Sequence, residues 1–101
     1  MGRLTYDSSL DAVLDDRLLA HLQIVIGAKL RRRESFFMTW EHDVAAGSGR
    51  TTLWLHSGVP LGFEFLDPRV PEVNRAWIDA LMRLANSAEG LRICSEPREA
   101  R

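Results

Sequence analysis

The strongest pattern of apolar and polar positions lies between Asp15 and Arg33, where apolar side chains recur at spacings of three and four. On a helix of 3.6 residues per turn they form one stripe that faces a core. The stripe contains Leu18, Leu19, Leu22, Val25, Ile26 and Leu30. Asp15 and Asp16 stand where an N-cap and an acidic first turn belong, and basic residues crowd the other end, as the helix dipole favours. We therefore predict a helix over this stretch.

The opposite face of this predicted helix is small and weakly apolar rather than charged. It carries Ala20, His21, Ile24, Gly27 and Ala28. Glycine costs about 1 kcal/mol relative to alanine inside a helix, and Gly27 is tolerable there if another surface approaches closely. We expect a second layer of the chain, a protein partner or a second copy to cover this face at Ala20, Ile24, Gly27 and Ala28. Lys29 falls inside the apolar stripe and should extend along it or meet a carboxylate.

Alternating apolar positions and turn residues predict six strands around this helix. They cover residues 3–6, 10–14, 35–42, 50–56, 59–65 and 91–94. A second helix is predicted from residues 70–72 to about residue 87, with Pro71 in its first turn and Gly90 beyond its end. Its inner face contains Val73, Trp77, Leu81, Leu84 and Ala88. The order β-β-α-β-β-β-α-β predicts an α+β fold with two helices packed on one mostly antiparallel sheet.

The third and fourth predicted strands should pair as an antiparallel hairpin across the loop of residues 43–49. We align His42 with Arg50, which sets Trp40 opposite Thr52. This register places on one face of the hairpin Phe36, Met38, Trp40, Trp54 and His56. Both faces then hold apolar groups, which is typical of a central position in a sheet.

The length of 101 residues predicts a single domain, which we assign to residues 1–95, with residues 96–101 as a frayed tail. The composition is 46% hydrophobic and 27% charged, as in globular proteins. No apolar run approaches a membrane span, the first residues lack the core of a signal peptide, and Cys94 has no disulfide partner. These features predict a cytoplasmic protein. A net charge of −1 is unlike that of dedicated nucleic-acid binders, so any DNA or RNA contact should be local.

Several stretches carry a resemblance to a known family: DDRLLAHLQIVIGAKLRRRESFF, Trp40, TTLWLHSGVPLGFEF and NRAWIDALMRLANSAEGL. Together they resemble a family of short uncharacterised proteins of about this length from high-GC Gram-positive bacteria. Its members commonly carry the label "ATP-dependent DNA ligase", which implies a context of DNA repair or ligation. The ligase motif Lys-x-Asp-Gly is missing, because the only lysine, Lys29, precedes Leu-Arg-Arg and no Asp-Gly occurs. We assign no residue to nucleotidyl transfer.

Two kinds of side chain are candidates for contact with DNA or RNA. Arginine offers a planar fork of donors to phosphate, and tryptophan stacks on bases. The candidate nucleic-acid-binding residues are Lys29, Arg31, Arg32, Arg33, Arg50, Trp40 and Trp54. A basic helix end also complements the helix dipole, and aromatic side chains on a sheet also pack beneath helices. Both structural interpretations stay open.

Motifs for catalysis and metal binding are missing from the sequence. It has no P-loop, no Gly-x-Ser-x-Gly and no Gly-x-Gly-x-x-Gly, and His21, His42 and His56 do not stand in ligand pairs. Asp15 and Asp16 are explained by capping. The sequence therefore predicts no metal and no cofactor, and it favours a non-catalytic binding module with a protein partner or a second copy. The alternative is a nucleic-acid accessory protein without ligase chemistry.

Overall fold

The structure is a computed structural model that describes residues 1–41, 47 and 49–98. Its elements are, in chain order, β1 (Gly2–Tyr6), β2 (Leu10–Leu14), α1 (Asp16–Arg31), β3 (Phe36–Glu41), β4 (Arg50–Leu55), β5 (Leu61–Glu64), α2 (Arg75–Ala85) and β6 (Leu91–Arg92). This order confirms the predicted α+β class and element sequence. Among the described residues, no helix combines the length and apolar character needed to cross a bilayer.

The strands divide between two three-stranded sheets, where the prediction has one. In the first sheet β1 lies between β2 and β5, and both pairings are antiparallel. In the second sheet β3 lies between β4 and β6, antiparallel to β4 and parallel to β6. The Tyr6 hydroxyl donates a hydrogen bond to the carbonyl oxygen of Trp54 at 2.6 Å, so β1 is tied to β4 across the boundary between the sheets.

The helix α1 begins where the sequence predicts, because the Asp15 carboxylate accepts hydrogen bonds from the amides of Arg17 and Leu18 at 3.1 and 3.3 Å. Its buried side is formed by Leu19, His21, Leu22, Val25, Ile26 and Lys29. Inner faces of both sheets and of α2 join these residues in one hydrophobic core. The core therefore lies beneath both helices and between the two sheets.

His21, which the prediction places on the weakly apolar face of α1, is fully buried, so a second layer of the chain covers this part of that face. The ring lies on the flank of α1 that meets α2, with its centroid 4.6 Å from that of Trp77. Its Nε2 accepts a hydrogen bond from the Asn74 amide at 2.9 Å, and its Nδ1 lies 2.7 Å from the Arg17 carbonyl oxygen. Because an amide N–H can only donate, Nδ1 carries the proton and donates to that carbonyl.

Lys29 meets a carboxylate, as expected for a cation inside an apolar stripe. Its buried ammonium lies 3.0 Å from a carboxylate oxygen of Glu34 and donates a hydrogen bond to Asn86 Oδ1 at 2.6 Å. The ammonium also stands 5.7 Å from the centroid of the Phe36 ring. The hydrogen bond from Lys29 lowers the pKa of the Glu34 carboxyl below its usual value. The charge of Lys29 is thus neutralised within the fold.

The predicted start of the second helix at residues 70–72 is wrong. Asn74 is the N-cap, and its Oδ1 accepts hydrogen bonds from the amides of Ala76 and Trp77 at 3.0 and 3.3 Å. The preceding residues, including Pro71, lie outside the helix, and the helix ends at Ala85 rather than near residue 87. Its buried positions are Trp77, Leu81 and Ala85, while the predicted inner-face residues Val73 and Ala88 lie outside the helix and are exposed.

The segment after β6 returns to the start of α1. The Arg17 guanidinium donates to both carboxylate oxygens of Glu96 at 2.8 and 2.7 Å. The Asn74 side-chain amide donates to Glu96 Oε2 and to the Pro97 carbonyl oxygen, each at 2.9 Å. Residues 96 and 97, which the prediction assigns to a frayed tail, are therefore hydrogen-bonded to both helices.

Candidate binding surface on the second sheet

The pairing of β3 with β4 corrects the predicted register by one residue. Glu41 lies opposite Arg50, Phe37 opposite Trp54 and Phe36 opposite Leu55. His42, which the prediction aligns with Arg50, lies outside the described residues. A slip of one residue moves every side chain of a strand to the other face. Trp54 therefore does not share a face with Phe36, Met38 and Trp40, as predicted.

The inner face of the second sheet belongs to the core. Phe36, Met38 and Leu55 are buried there, and Trp40 and Leu53 are partly buried against them. For Trp40, the interpretation as an aromatic residue beneath the helices fits this position. The two tryptophans proposed as one aromatic surface are thus separated by the sheet itself.

The outer face of the same sheet carries an exposed aromatic pair. Phe37 is 46% exposed and Trp54 is 47% exposed. Their ring centroids are 4.8 Å apart at an interplanar angle of 61°, which is the edge-to-face arrangement. The segment after α2 borders the pair on one side, where Ala88 and Gly90 line a hollow together with both rings. A half-exposed tryptophan with one flank supported by a second ring is a rigid apolar surface for a planar ligand.

Polar side chains continue this face away from the aromatic pair. Thr39 and Thr52 are directly opposite each other, with their hydroxyl oxygens 2.8 Å apart. The parallel pairing of β6 with β3 sets Arg92 beside Thr39, and both Arg92 and Arg50 are exposed. We call this surface the open face and define it as Phe37, Thr39, Glu41, Arg50, Thr52, Trp54 and Arg92.

The arginine run of α1 lies near the aromatic end of the open face. Arg31, Arg32 and Arg33 are all exposed, and Arg33 has a φ of 59° in the turn that leads to β3. Phe37 is the fourth residue after Arg33, so at most about 14 Å of extended chain lies between them. Lys29, the fourth basic residue of the run, is buried with Glu34 and does not join this exposed group.

Acidic and basic residues are divided unevenly between the segments of the chain that form the two sheets. Residues 1–19 and 60–73, which contain the first sheet, include three basic and seven acidic residues. The rest of the chain, which contains the second sheet, includes ten basic and seven acidic residues. A net charge of −1 therefore conceals an acidic part and a basic part, and the open face belongs to the basic part.

Of the open face, only Arg50 and Trp54 were among the sequence candidates; Phe37 and Arg92 are the aromatic and basic residues that were missed. Phe37 could have been found from the register, because setting Glu41 opposite Arg50 pairs opposite charges and brings Phe37 to Trp54. Arg92 had no such signal, since nothing in the sequence shows that β6 pairs with β3. At the edge of the face, Trp40, Glu41 and Arg92 line a cleft of about 410 Å³.

The predicted interface on α1 is partly exposed to solvent and partly covered by the rest of the protein. Ile24 is 43% exposed, and a Cβ atom built on Gly27 would meet no atom within 4 Å. Ala20, Gly27 and Ala28 are partly buried. Gly27 is therefore not required by any close contact among the described residues, and the space above it is open.

Within the described ranges, no group of three or more His, Cys, Asp or Glu side chains is arranged to hold a metal ion. His21 is occupied by its two hydrogen bonds, and His56 Nδ1 accepts a hydrogen bond from the Gly58 amide at 3.2 Å. His42 and Asp43 lie outside those ranges.

Comparison with known proteins identifies a family but no activity. The sequence model of a family described as a domain of unknown function, DUF7882, matches residues 1–96. Searches of the curated proteins and of the solved structures find no significant match.

Proposed function

This chain belongs to the DUF7882 family, and we propose that it is a non-catalytic module that binds single-stranded nucleic acid on the open face. The observation that carries the proposal is the half-exposed pair of Phe37 and Trp54 on a sheet face that also carries Arg50 and Arg92. Aromatic side chains on exposed sheets stack with unpaired bases, and neighbouring arginines contact the backbone. The resemblance to proteins labelled as DNA ligases supports a nucleic-acid context.

The shape of the surface favours a single strand over a duplex. A duplex buries its bases, and sequence-independent contact with it depends on a broad field of basic residues. Here the basic residues are few, and the aromatic pair gives stacking that only unpaired bases can use. Trp54 supplies the main stacking surface, and Phe37 supports its ring from the side. Arg50 and Arg92 on the open face, together with Arg32 and Arg33 near its aromatic end, contact phosphates.

The proposal is tested by titrating a fluorescently labelled oligonucleotide, as single-stranded DNA, single-stranded RNA and duplex, at low and at raised salt. We expect single strands to bind in preference to the duplex. Trp54→Ala should weaken binding by about 1–3 kcal/mol, the usual effect of losing one stacked base. The matched control is Val13→Ala, which trims an exposed apolar side chain on the first sheet. Equal binding by both variants, or no binding at low salt, contradicts the proposal.

The arginines have their own signature in the salt dependence. Each phosphate contact to a single strand contributes about 0.7 to the slope of log K against log salt. Arg50→Ala and Arg92→Ala should each lower that slope by about 0.7, whereas Arg3→Ala on the first sheet should leave it unchanged. Equal slopes of log K against log salt for all three variants contradict the proposal that Arg50 and Arg92 contact phosphates.

A second candidate function, supported by a different surface, is association with a protein through the outer face of α1. The specific observation is Ile24, a large apolar side chain that is 43% exposed beside the open space over Gly27. An exposed apolar patch on a small domain commonly marks an interaction site. This function requires no residue of the open face and can coexist with nucleic-acid binding.

A further inference from the structure

We propose that α1 pairs in antiparallel orientation with α1 of a second copy of this chain. This inference rests on the second proposed function, association through α1, and names its partner and geometry. The contact surface is the outer stripe, which we define as Ala20, Gln23, Ile24, Gly27 and Arg31. These positions follow one another at three- and four-residue spacings on the side of α1 opposite its buried residues.

The outer stripe is complementary to itself in shape. Ile24 projects from the helix, and Gly27, one turn away on the same side, leaves open space. A two-fold axis between these positions sets Ile24 of one copy over Gly27 of the other, and the same contact recurs on the other side of the axis. The same axis sets Ala20 opposite Arg31, so that no two large side chains collide along the stripe.

The charges at the two ends of α1 are also complementary in this orientation. Arg31 and Arg32 are exposed at the C-terminal end, whereas Asp15 and Asp16 stand at the N-terminal end, where the one basic residue, Arg17, is paired with Glu96. Antiparallel pairing brings the basic end of each helix to the acidic end of the other and sets the two helix dipoles in opposition. Parallel pairing brings like charges together. The charges therefore select a second copy in the antiparallel orientation.

The loop that follows β5 enlarges the contact on one side of the stripe. The Asp16 carboxylate accepts hydrogen bonds from the amides of Leu66 and Asp67 at 3.2 and 2.8 Å, which fixes this loop against the start of α1. A hollow of about 280 Å³ lies between the loop and α1, and its lining includes Ala20, Phe65 and Val70. Arg31 of the second copy, placed opposite Ala20, has its apolar stem at the hollow, whose rim carries the ion pair of Asp67 and Arg69.

The first test is the mass of the full-length chain in solution, measured by analytical ultracentrifugation over a wide concentration range. We expect a monomer–dimer equilibrium. Gly27→Gln should raise the dimer dissociation constant at least tenfold because the new side chain fills the space that receives Ile24. The fold should keep or raise its melting temperature, since glutamine is a better helix former than glycine and a Cβ at this position meets nothing.

The matched control places the same residue on an exposed position of α2, as Arg83→Gln, and should leave the dissociation constant unchanged. A monomer at every concentration overturns both this inference and self-association as the second proposed function. A dimer that Gly27→Gln leaves intact overturns the proposed contact but keeps the association.

Disulfide trapping tests the orientation separately, in a Cys94→Ser background that removes the native thiol. Antiparallel pairing predicts a mixed disulfide when Ala20→Cys and Arg31→Cys proteins of different tag length are combined. It also predicts no disulfide from Ala20→Cys alone, because the two copies of position 20 stand about 16 Å apart along the helix axis. The opposite result, trapping of Ala20→Cys with itself, overturns the antiparallel geometry while the association stands.

Discussion

The outer faces of the two sheets differ in a way that the fold does not require. The first sheet presents the usual mixture of a solvated surface, with Arg3 beside Asp11 at 3.9 Å and with Thr5, Val13 and Glu64 around them. The second presents Phe37 and Trp54 in contact, each about half exposed. Both sheets have three strands and an inner face in the same core. An exposed aromatic pair is thus a property of one sheet's side chains rather than of the architecture.

This contrast separates what holds the domain together from what its surface offers to a ligand. The inner faces of both sheets supply leucine, methionine and phenylalanine side chains to the core. The outer face of the first sheet shows that polar and charged residues satisfy the same strand geometry. Exposing two aromatic rings forgoes the favourable transfer of their surface from water. A binding partner for the open face recovers that free energy.

The largest expected effect comes from the two faces of β3, where adjacent phenylalanines point in opposite directions. Phe36 is 4% exposed and Phe37 is 46% exposed. Phe36→Ala should reduce the free energy of unfolding by about 3–5 kcal/mol, because it removes buried surface and leaves a cavity. Phe37→Ala should cost less than about 1 kcal/mol, as surface substitutions do. Urea denaturation measures both, and equal losses contradict the assignment of Phe37 to an exposed surface.

The next largest difference in stability is expected between alanine substitutions of two glycines, one in the first sheet and one beside the second. Gly90, which precedes β6, has a φ of 88°, and a Cβ there would lie 2.6 Å from the Phe37 carbonyl oxygen. Gly90→Ala should destabilise the fold by about 2 kcal/mol or more. Gly62 lies in β5 of the first sheet, where a Cβ would meet only Thr5 Cβ at 3.7 Å. Gly62→Ala should change stability by less than about 1 kcal/mol, and thermal unfolding of both variants tests the pair.

Low pH should weaken the hydrogen bonds that Glu96, in the segment after β6, accepts from Arg17 and Asn74. Hydrogen bonds from Arg17 and then from Asn74 lower the pKa of Glu96 from 4.5 to about 2. A depressed pKa in the folded state means that the unfolded chain binds the proton more readily. The contribution of Glu96 is therefore complete above about pH 4.5 and is lost as the pH falls towards 2.

The measurement is the free energy of unfolding against pH for the natural sequence and for Glu96→Gln. The difference between the two proteins should be largest near neutral pH and should shrink below pH 4.5. Acid sensitivity does not disappear in the variant, because the pKa values of Glu34 and Asp67 are also lowered. A difference that stays constant down to pH 2 contradicts the role of Glu96.

The smallest effect is expected on the outer face of the first sheet. Arg3 and Asp11 are about half exposed and 3.9 Å apart, which is a weak surface ion pair. A double-mutant cycle of Arg3→Ala and Asp11→Ala should give a coupling of at most about 0.5 kcal/mol. A larger coupling means that this face is more organised than an ordinary solvated surface, which weakens the contrast between the sheets.

The parts of the fold that sequence predicted best depend on local patterns. The stripe of α1, its Asp15 cap and the first two strands all follow from neighbouring residues, and all are confirmed. The start of α2 was missed because Pro71 suggested a first turn, whereas the side chain of Asn74 satisfies the helix amides. The full burial of His21 could not be predicted, because it depends on Asn74 and Trp77, which come from a distant segment.

The candidate surface was only partly predictable for the same reason. Arg50 and Trp54 were identified from residue type, and they do share a face. The predicted register nevertheless placed Trp54 and Trp40 on the same face. Hydrophobic residues occur on both faces of β3, so the sequence pattern fits either alignment. The position of Arg92 on this face could not be predicted from the sequence. The pairing of β3 with β6 is set by the packing of α2 rather than by a sequence signal.

The order in which the strands enter the sheets bears on how the chain folds. The chain lays down β1 and β2 in the first sheet and β3 and β4 in the second, then returns with β5 to the first and with β6 to the second. Each sheet is thus completed only by a strand that is made after the hairpin of the other. No single cut through the chain separates the strands of one sheet from those of the other, so the two sheets should melt together in a single transition. Folding should be limited by the slow closure of these distant pairings rather than by formation of the helices.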